Sequence, residues 1–150
     1  MKTFFLFFHC LLSIGFCNVY ADEVIWKGHI QSDGSATVPI PLVLNEHYRI
    51  KVSQVINLGK WVQERENLAN DACYEFNKEK HLEKYESLKN SQNISVCDGT
   101  YHLDHVYQSA PFVAKQNRLL FWVSDTDYDD NNGAFYVEII HKKESKESKL

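Results

Sequence analysis

The residues of this chain best suited to chemistry lie near its end, in Ser124 to Ile139, SDTDYDDNNGAFYVEI, where Asp125, Asp127, Asp129 and Asp130 run into Asn131 and Asn132. Carboxylates this close repel one another, so either something offsets the repulsion or the loop stays loose and solvated. Calcium takes roughly six to eight oxygen ligands from carboxylates, amides and backbone carbonyls, and DTDYDDNN offers all three. Asp125, Asp127 and Asp129 alternate like the opening of an EF-hand. The match stops there, because the sixth position is Asp130 instead of glycine and the twelfth is Tyr136 instead of glutamate. The expectation is an inter-strand calcium loop, with Gly133 turning the chain into the last strand. The other reading is an ordinary acidic turn built on Asn132-Gly133.

Strands must hold such a loop. VIWKGHI sets Val24, Trp26, Gly28 and Ile30 against Ile25, Lys27 and His29, the period of a strand with one buried face. Asp33-Gly34 reads as a hairpin turn. ATVPIPLVL reads as an extended edge, since Pro39 and Pro41 lack donors. YRIKVSQVI buries Tyr48, Ile50 and Val52. RLLFWVS, apolar on both faces, reads as a central strand, and GAFYVEII buries Phe135, Val137 and Ile139. Between 59 and 93 the pattern breaks, leaving either a helix over about Tyr74 to Leu88 or a long loop with a short helix. NISVCDGTYHLDHVY reads as a hairpin about Asp98-Gly99. Six or seven short strands separated by turns predict an all-β fold, a small antiparallel β-sandwich or barrel.

The first residues, MKTFFLFFHCLLSIGFCNVYA, carry Lys2, an apolar run and small or apolar residues at Val19 and Ala21. Residues 1–21 are therefore expected to be a cleaved secretory signal, too short in its apolar run for a comfortable membrane span. That leaves one β domain over 22–142 and a charged, solvated tail over 143–150. Removing Lys2 moves the net charge from -4 to -5, and the acid is concentrated at Asp125 to Asp130, which argues against nucleic acid as a partner. A secreted or periplasmic chain retains Cys73 and Cys97 of its four cysteines, and these are expected to form a disulfide, with two buried thiols as the alternative.

A chain that opens with WKG (Trp26 to Gly28) and closes with FWVSDTDYDDNNGAFYVEI resembles the PA-I-type galactophilic lectins, small calcium-dependent β-sandwiches of jelly-roll, galactose-binding type. That family closes on an aspartate, a short loop with an aromatic residue, two adjacent amides, a glycine and a final strand. Here Asp125, Tyr128, Asp130, Asn131, Gly133 and the strand Phe135 to Ile139 follow in that order. The resemblance implies Asp125 as the first aspartate ligand and Asp130 and Asn131 in place of the paired asparagines. It implies Asp127 as a backbone-carbonyl ligand, and Leu58 as the carbonyl from an earlier loop. It also implies a calcium ion that binds sugar hydroxyls directly, so Asp125 and Asp130 would border the sugar, a galactose-like one by resemblance. The family's histidine and glutamine pair has no counterpart between Gln63 and His81. Trp61 could stack on a sugar face, although a tryptophan is as readily part of the core.

Other constellations offer less. YHLDHVY brings His102, Asp104 and His105 together, but on a strand the two histidines point to opposite faces, which does not suit zinc. No serine or cysteine has a nucleophile's setting, so catalysis is not expected. A synaptotagmin-like use of the acidic loop against anionic membrane, or a calcium-stapled fold that binds a protein, remains open. So does assembly into a homo-oligomer, which matters because multivalency raises weak sugar affinity. Asn93-Ile94-Ser95 matches a glycosylation acceptor, relevant only in a eukaryotic host.

Overall fold

Alternation of apolar and polar side chains in YRIKVS and AFYVEII makes two strands whose inner residues are wholly removed from water: Ile50, Val52, Phe135, Val137 and Ile139 are each 0% exposed. The structure, a computed structural model, describes residues 22–59, 69–76 and 82–143. Among them are thirteen strands and no helix. The first seven are β1 (Glu23–Gln31), β2 (Ile40–Pro41), β3 (His47–Ser53), β4 (Ile56–Asn57), β5 (Ala69–Asn70), β6 (Tyr74–Phe76) and β7 (Leu82–Lys84). The rest are β8 (Leu88–Asn90), β9 (Tyr107–Gln108), β10 (Phe112–Val113), β11 (Arg118–Leu119), β12 (Phe121–Val123) and β13 (Ala134–Lys142). Every pairing between them is antiparallel.

The main sheet runs β1-β13-β3-β10, with β9 also on β3. Its inner face stacks Phe135 beside Ile30, Val137 between Gly28 and Val52, and Ile139 beside Ile50. Gly28 is required here because a Cβ would stand 2.6 Å from the Trp26 ring, which lies over it and stacks on Phe121 of β12 at 6.5 Å and 14°. The WKG triplet is thus a packing device that brings β12 onto the main sheet. β12 pairs with β8, β11 with β2, and β4-β5-β6-β7 form a separate four-stranded sheet.

Several local expectations are corrected. Asp33-Gly34 is a turn, with Ser35 N–H bonded to Asp33 Oδ1 at 2.9 Å, but it does not close a hairpin, because β1 pairs with β13 and β2 with β11. Val24 is 48% exposed, since a bulge between Val24 and Trp26 inserts Ile25 and breaks the alternation. RLLFWVS is divided at Leu120 into β11 and β12, and it buries one face, Leu119, Phe121 and Val123, while Trp122 is half-buried. No hairpin forms about Asp98-Gly99. Residues 91–106 carry no strand and turn locally on bonds such as Thr100 N–H to Asp98 Oδ1 at 2.9 Å.

The helix over Tyr74 to Leu88 is absent from its described residues, which form β6, β7 and β8 instead; 77–81 lie outside the described residues. Two constraints override helical periodicity. Tyr74 sits opposite Lys84, and the Tyr85 N–H bonds the Cys73 carbonyl at 3.0 Å, so the segment folds back on itself. Cys73 is also bonded to Cys97, with Cα atoms 5.6 Å apart, as the cysteine pattern predicts.

Asp71 anchors this region. It is completely buried, and its Oδ1 accepts the N–H groups of Cys73 at 2.9 Å and Tyr74 at 2.7 Å. Its Oδ2 accepts the Tyr107 hydroxyl at 2.9 Å and lies 3.0 Å from His105 Nδ1. A buried carboxylate is tolerated when its lone pairs are all met in this way. Asp71→Ala should lower unfolding free energy by about 3 to 5 kcal/mol in a urea melt. Replacing both Cys73 and Cys97 by serine, which frees a separation of 24 residues, should lower it by about 3 kcal/mol.

Candidate functional site

The acidic loop spans 124–133 between β12 and β13, and long-range backbone bonds strap it at both ends. Ser124 N–H bonds the Ser87 carbonyl at 2.9 Å, holding the entry to β8. At the exit, Asn132 and Asn57 exchange two backbone bonds of 2.8 and 2.9 Å, which tie the loop to β4. Ser32 N–H bonds the Gly133 carbonyl at 3.1 Å. The loop therefore sits among the ends of β1, β3 and β4, all drawn there by their pairing with β13 or with its leading residues.

Between the straps the loop folds on its own side chains. Tyr128 turns back so that its hydroxyl accepts the Asp125 N–H at 3.1 Å and donates to the Val123 carbonyl at 3.4 Å. Its ring covers Gly34, where a Cβ would lie 2.7 Å from ring carbons and φ is +77°. Thr126 N–H bonds Asp125 Oδ1 at 2.7 Å, and Asp129 N–H bonds Asp127 Oδ1 at 3.1 Å. The Asp127 side chain is thus engaged within the loop. Asp130 lies against the segment after β4: at Gly59, whose φ is +76°, any side chain would collide with the Asp130 carboxylate. Gly59 N–H in turn bonds Asn57 Oδ1 at 2.7 Å, shaping the backbone of Asn57, Leu58 and Gly59.

Two oxygens remain without a hydrogen-bond partner among the described residues, although both are buried: Asp125 Oδ2 and Asn131 Oδ1. The Asn131 amide nitrogen donates to the Ser32 carbonyl at 2.8 Å, which leaves its oxygen as the unused acceptor. A buried unpaired acceptor costs about 1 to 3 kcal/mol, more when charged, so each of these oxygens calls for a donor, a water or a cation.

Asp125, Asp127, Asp130 and Asn131 thus lie in one loop, and Asp130 lies against the segment that contains Leu58. Trp61 falls outside the described residues. Among the described residues no three His, Cys, Asp or Glu side chains converge as a metal-binding group. His102 and His105 are not on a strand as expected. His102 pairs with Asp98 at 2.9 Å, and His105, at φ +54°, stacks on Phe76 at 4.7 Å while bonding Asp71.

Sequence reasoning missed Tyr85, Ser87 and Asn70. Tyr85 is half-buried, and its phenol is pushed up from its ordinary value first by burial and then by the charges of Asp125 and Glu75. Ser87 Oγ and both side-chain atoms of Asn70 are buried without a partner among the described residues. Nothing in their spacing marks them; chain reversal and not periodicity brings Ser87 to the loop, where its carbonyl accepts from Ser124.

Gly59→Ala and Gly99→Ala both place alanine at positive φ, but Gly99 has nothing within 4 Å of a Cβ. In thermal melts, Gly59→Ala should cost roughly 1 kcal/mol more than Gly99→Ala, the excess measuring its contact with Asp130. No family model, curated protein or solved structure matches the chain, so the resemblance to the PA-I-type lectins rests on the residues of the terminal strands and the acidic loop.

Proposed function

We propose that this chain is a secreted or periplasmic, non-catalytic protein that binds carbohydrate through calcium, on an antiparallel β-sandwich frame of the PA-I lectin kind. The observation that carries the reading is the pair of buried, unpartnered oxygens, Asp125 Oδ2 and Asn131 Oδ1, in a loop strapped at both ends. Asp130, seated over Gly59, adds a second carboxylate beside the Asn57 to Gly59 backbone. Backbone carbonyls at Asp127 and Leu58, which the resemblance implies, would add to these the hard oxygen donors that calcium prefers.

Bound calcium would supply coordination positions at which neighbouring sugar hydroxyls replace water. The residues themselves hold the geometry: Asn57 and Asn132 fix the loop's exit, Tyr128 fixes Asp125, and Asn131 is oriented by Ser32. The disulfide Cys73–Cys97 fits an oxidising compartment, and no described helix is long and apolar enough to cross a membrane.

Thermal unfolding in chelator and then in calcium tests the reading. At a hundredfold excess over the dissociation constant, calcium should raise the melting temperature by roughly 5 to 10 °C. Asp125→Ala and Asp130→Ala should each lose that rise. An unchanged melting temperature in the wild-type chain would overturn the calcium reading. A rise accompanied by calcium-dependent sedimentation with anionic vesicles, and no retention on sugar arrays, would replace the lectin reading with a membrane one.

A further inference from the structure

The start of β1 borders a cleft of about 360 Å3, lined by Val24, Ile25, Trp26, Lys27 and Glu138. It lies away from the acidic loop, because β1 meets that loop at Ser32, about 16 Å of extended strand beyond Lys27. Four of the lining residues are consecutive, which a regular strand would send to alternate faces. The bulge between Val24 and Trp26 gathers them: it inserts Ile25 and leaves Val24 and Ile25 48% and 39% exposed. Trp26 is fixed beside them, since its ring lies over Gly28 and stacks on Phe121. β1 is an edge of the main sheet among the described residues, and a bulge and an exposed lysine both discourage another strand from pairing there. The opening therefore suits a small molecule, near the lower end of the roughly 300 to 1,000 Å3 of ligand sites.

The charge around the cleft follows from its ion pairs. Lys27, Glu138 and Lys51 stand opposite one another across β1, β13 and β3, and Val24, Ile140 and Arg49 form the adjoining row. Glu138 and Ile140 are two residues apart on β13, so both rows share the outer face of the main sheet. Every acid here has a basic partner: Glu138 meets Lys51 at 3.1 Å, Asp22 meets Lys142 at 2.7 Å and Glu23 meets Lys143 at 2.7 Å. Lys27 and Arg49 have no such partner among the described residues, and the Arg49 Nε is buried without an acceptor. This face thus keeps two positive charges beyond its ion pairs, although the whole chain stands at -4. Apolar walls beside an unmatched ammonium select a ligand with an apolar body and one anionic group.

We propose that this cleft binds a small amphiphilic anion, a short acyl or aryl carboxylate, with its apolar part against Val24, Ile25 and Trp26 and its carboxylate at Lys27. Arg49, two strands and about 10 Å away, adds attraction without contact. The bulge would then serve the ligand, because a regular β1 would turn one of the two aliphatic walls inward and close the cleft. The site is independent of the acidic loop and of any ion held there.

Calorimetric titration of octanoate and of octylammonium into the chain in chelator, each below its aggregation concentration, tests this. Octanoate should bind roughly threefold or more tighter than octylammonium, and the gap should narrow as salt rises. Lys27→Glu should weaken octanoate roughly fivefold or more and reverse the preference, whereas Ile25→Ser should weaken both amphiphiles. Both positions are exposed, so each variant should melt close to the wild type and report on binding alone. Octanoate that fails to bind, that binds no better than octylammonium, or that binds Lys27→Glu as tightly as the wild type would overturn the proposal. Binding that appears only with calcium would also overturn it, by putting the carboxylate at the acidic loop. Failure in chelator leaves the calcium reading untouched, because no calcium is present in that titration.

Discussion

The Asp71 carboxylate is the interaction on which the middle of this protein depends. Between β5 and β12 the strands are two or three residues long, too short to hold the chain by their ladders alone. Asp71 replaces those ladders with four contacts: two N–H groups from its own turn, one hydroxyl from β9 and one imidazole from the irregular segment before it. The disulfide next to it ties the same turn to Cys97, and the Tyr74, Tyr101, Tyr107, Phe76 and His105 rings pack around it. A charge that would be prohibitive alone becomes an organising centre, because removing any one partner leaves the others around a poorly met ion.

Asp125 shows the opposite balance. One of its oxygens takes a backbone N–H and the other has no partner among the described residues, with Asn131 Oδ1 in the same condition nearby. The two aspartates belong to one molecule and one residue type, yet one has both oxygens satisfied internally and the other has one oxygen without a partner among the described residues. A loose loop would turn such oxygens to water, but Asn57, Ser32 and Ser87 hold this one in place.

What was legible in the sequence follows from physical range. Strands with strict alternation, β3 and β13, were readable because burial of one face is a local pattern; Val24 misled because a bulge is not. The acidic loop announced itself by composition, and the disulfide by the two cysteines that would remain once the expected leader is cleaved. The region from 59 to 93 stayed illegible because its strands are set by cross-chain bonds, such as Tyr85 to Cys73, and by a buried aspartate that looks like any polar residue in isolation. Within the site, Asp125, Asp130 and Asn131 were visible as candidate oxygens. Ser87 was not, since only the return of the chain through β6 and β7 carries it to the loop, where its carbonyl accepts from Ser124.

The pairing of β1 with β13 has a consequence for how the protein is made. These are the first and last strands, aligned from Glu23 with His141 to Gln31 with Ala134, and β13 also supplies the partner for β3. β3 can pair with β9 and β10 earlier, but β1 cannot join the main sheet until β13 has emerged, and contacts of such long sequence separation slow folding. This topology delays the closing of the sheet until β13 is available, and the acidic loop is shaped at the same moment, by the same strand.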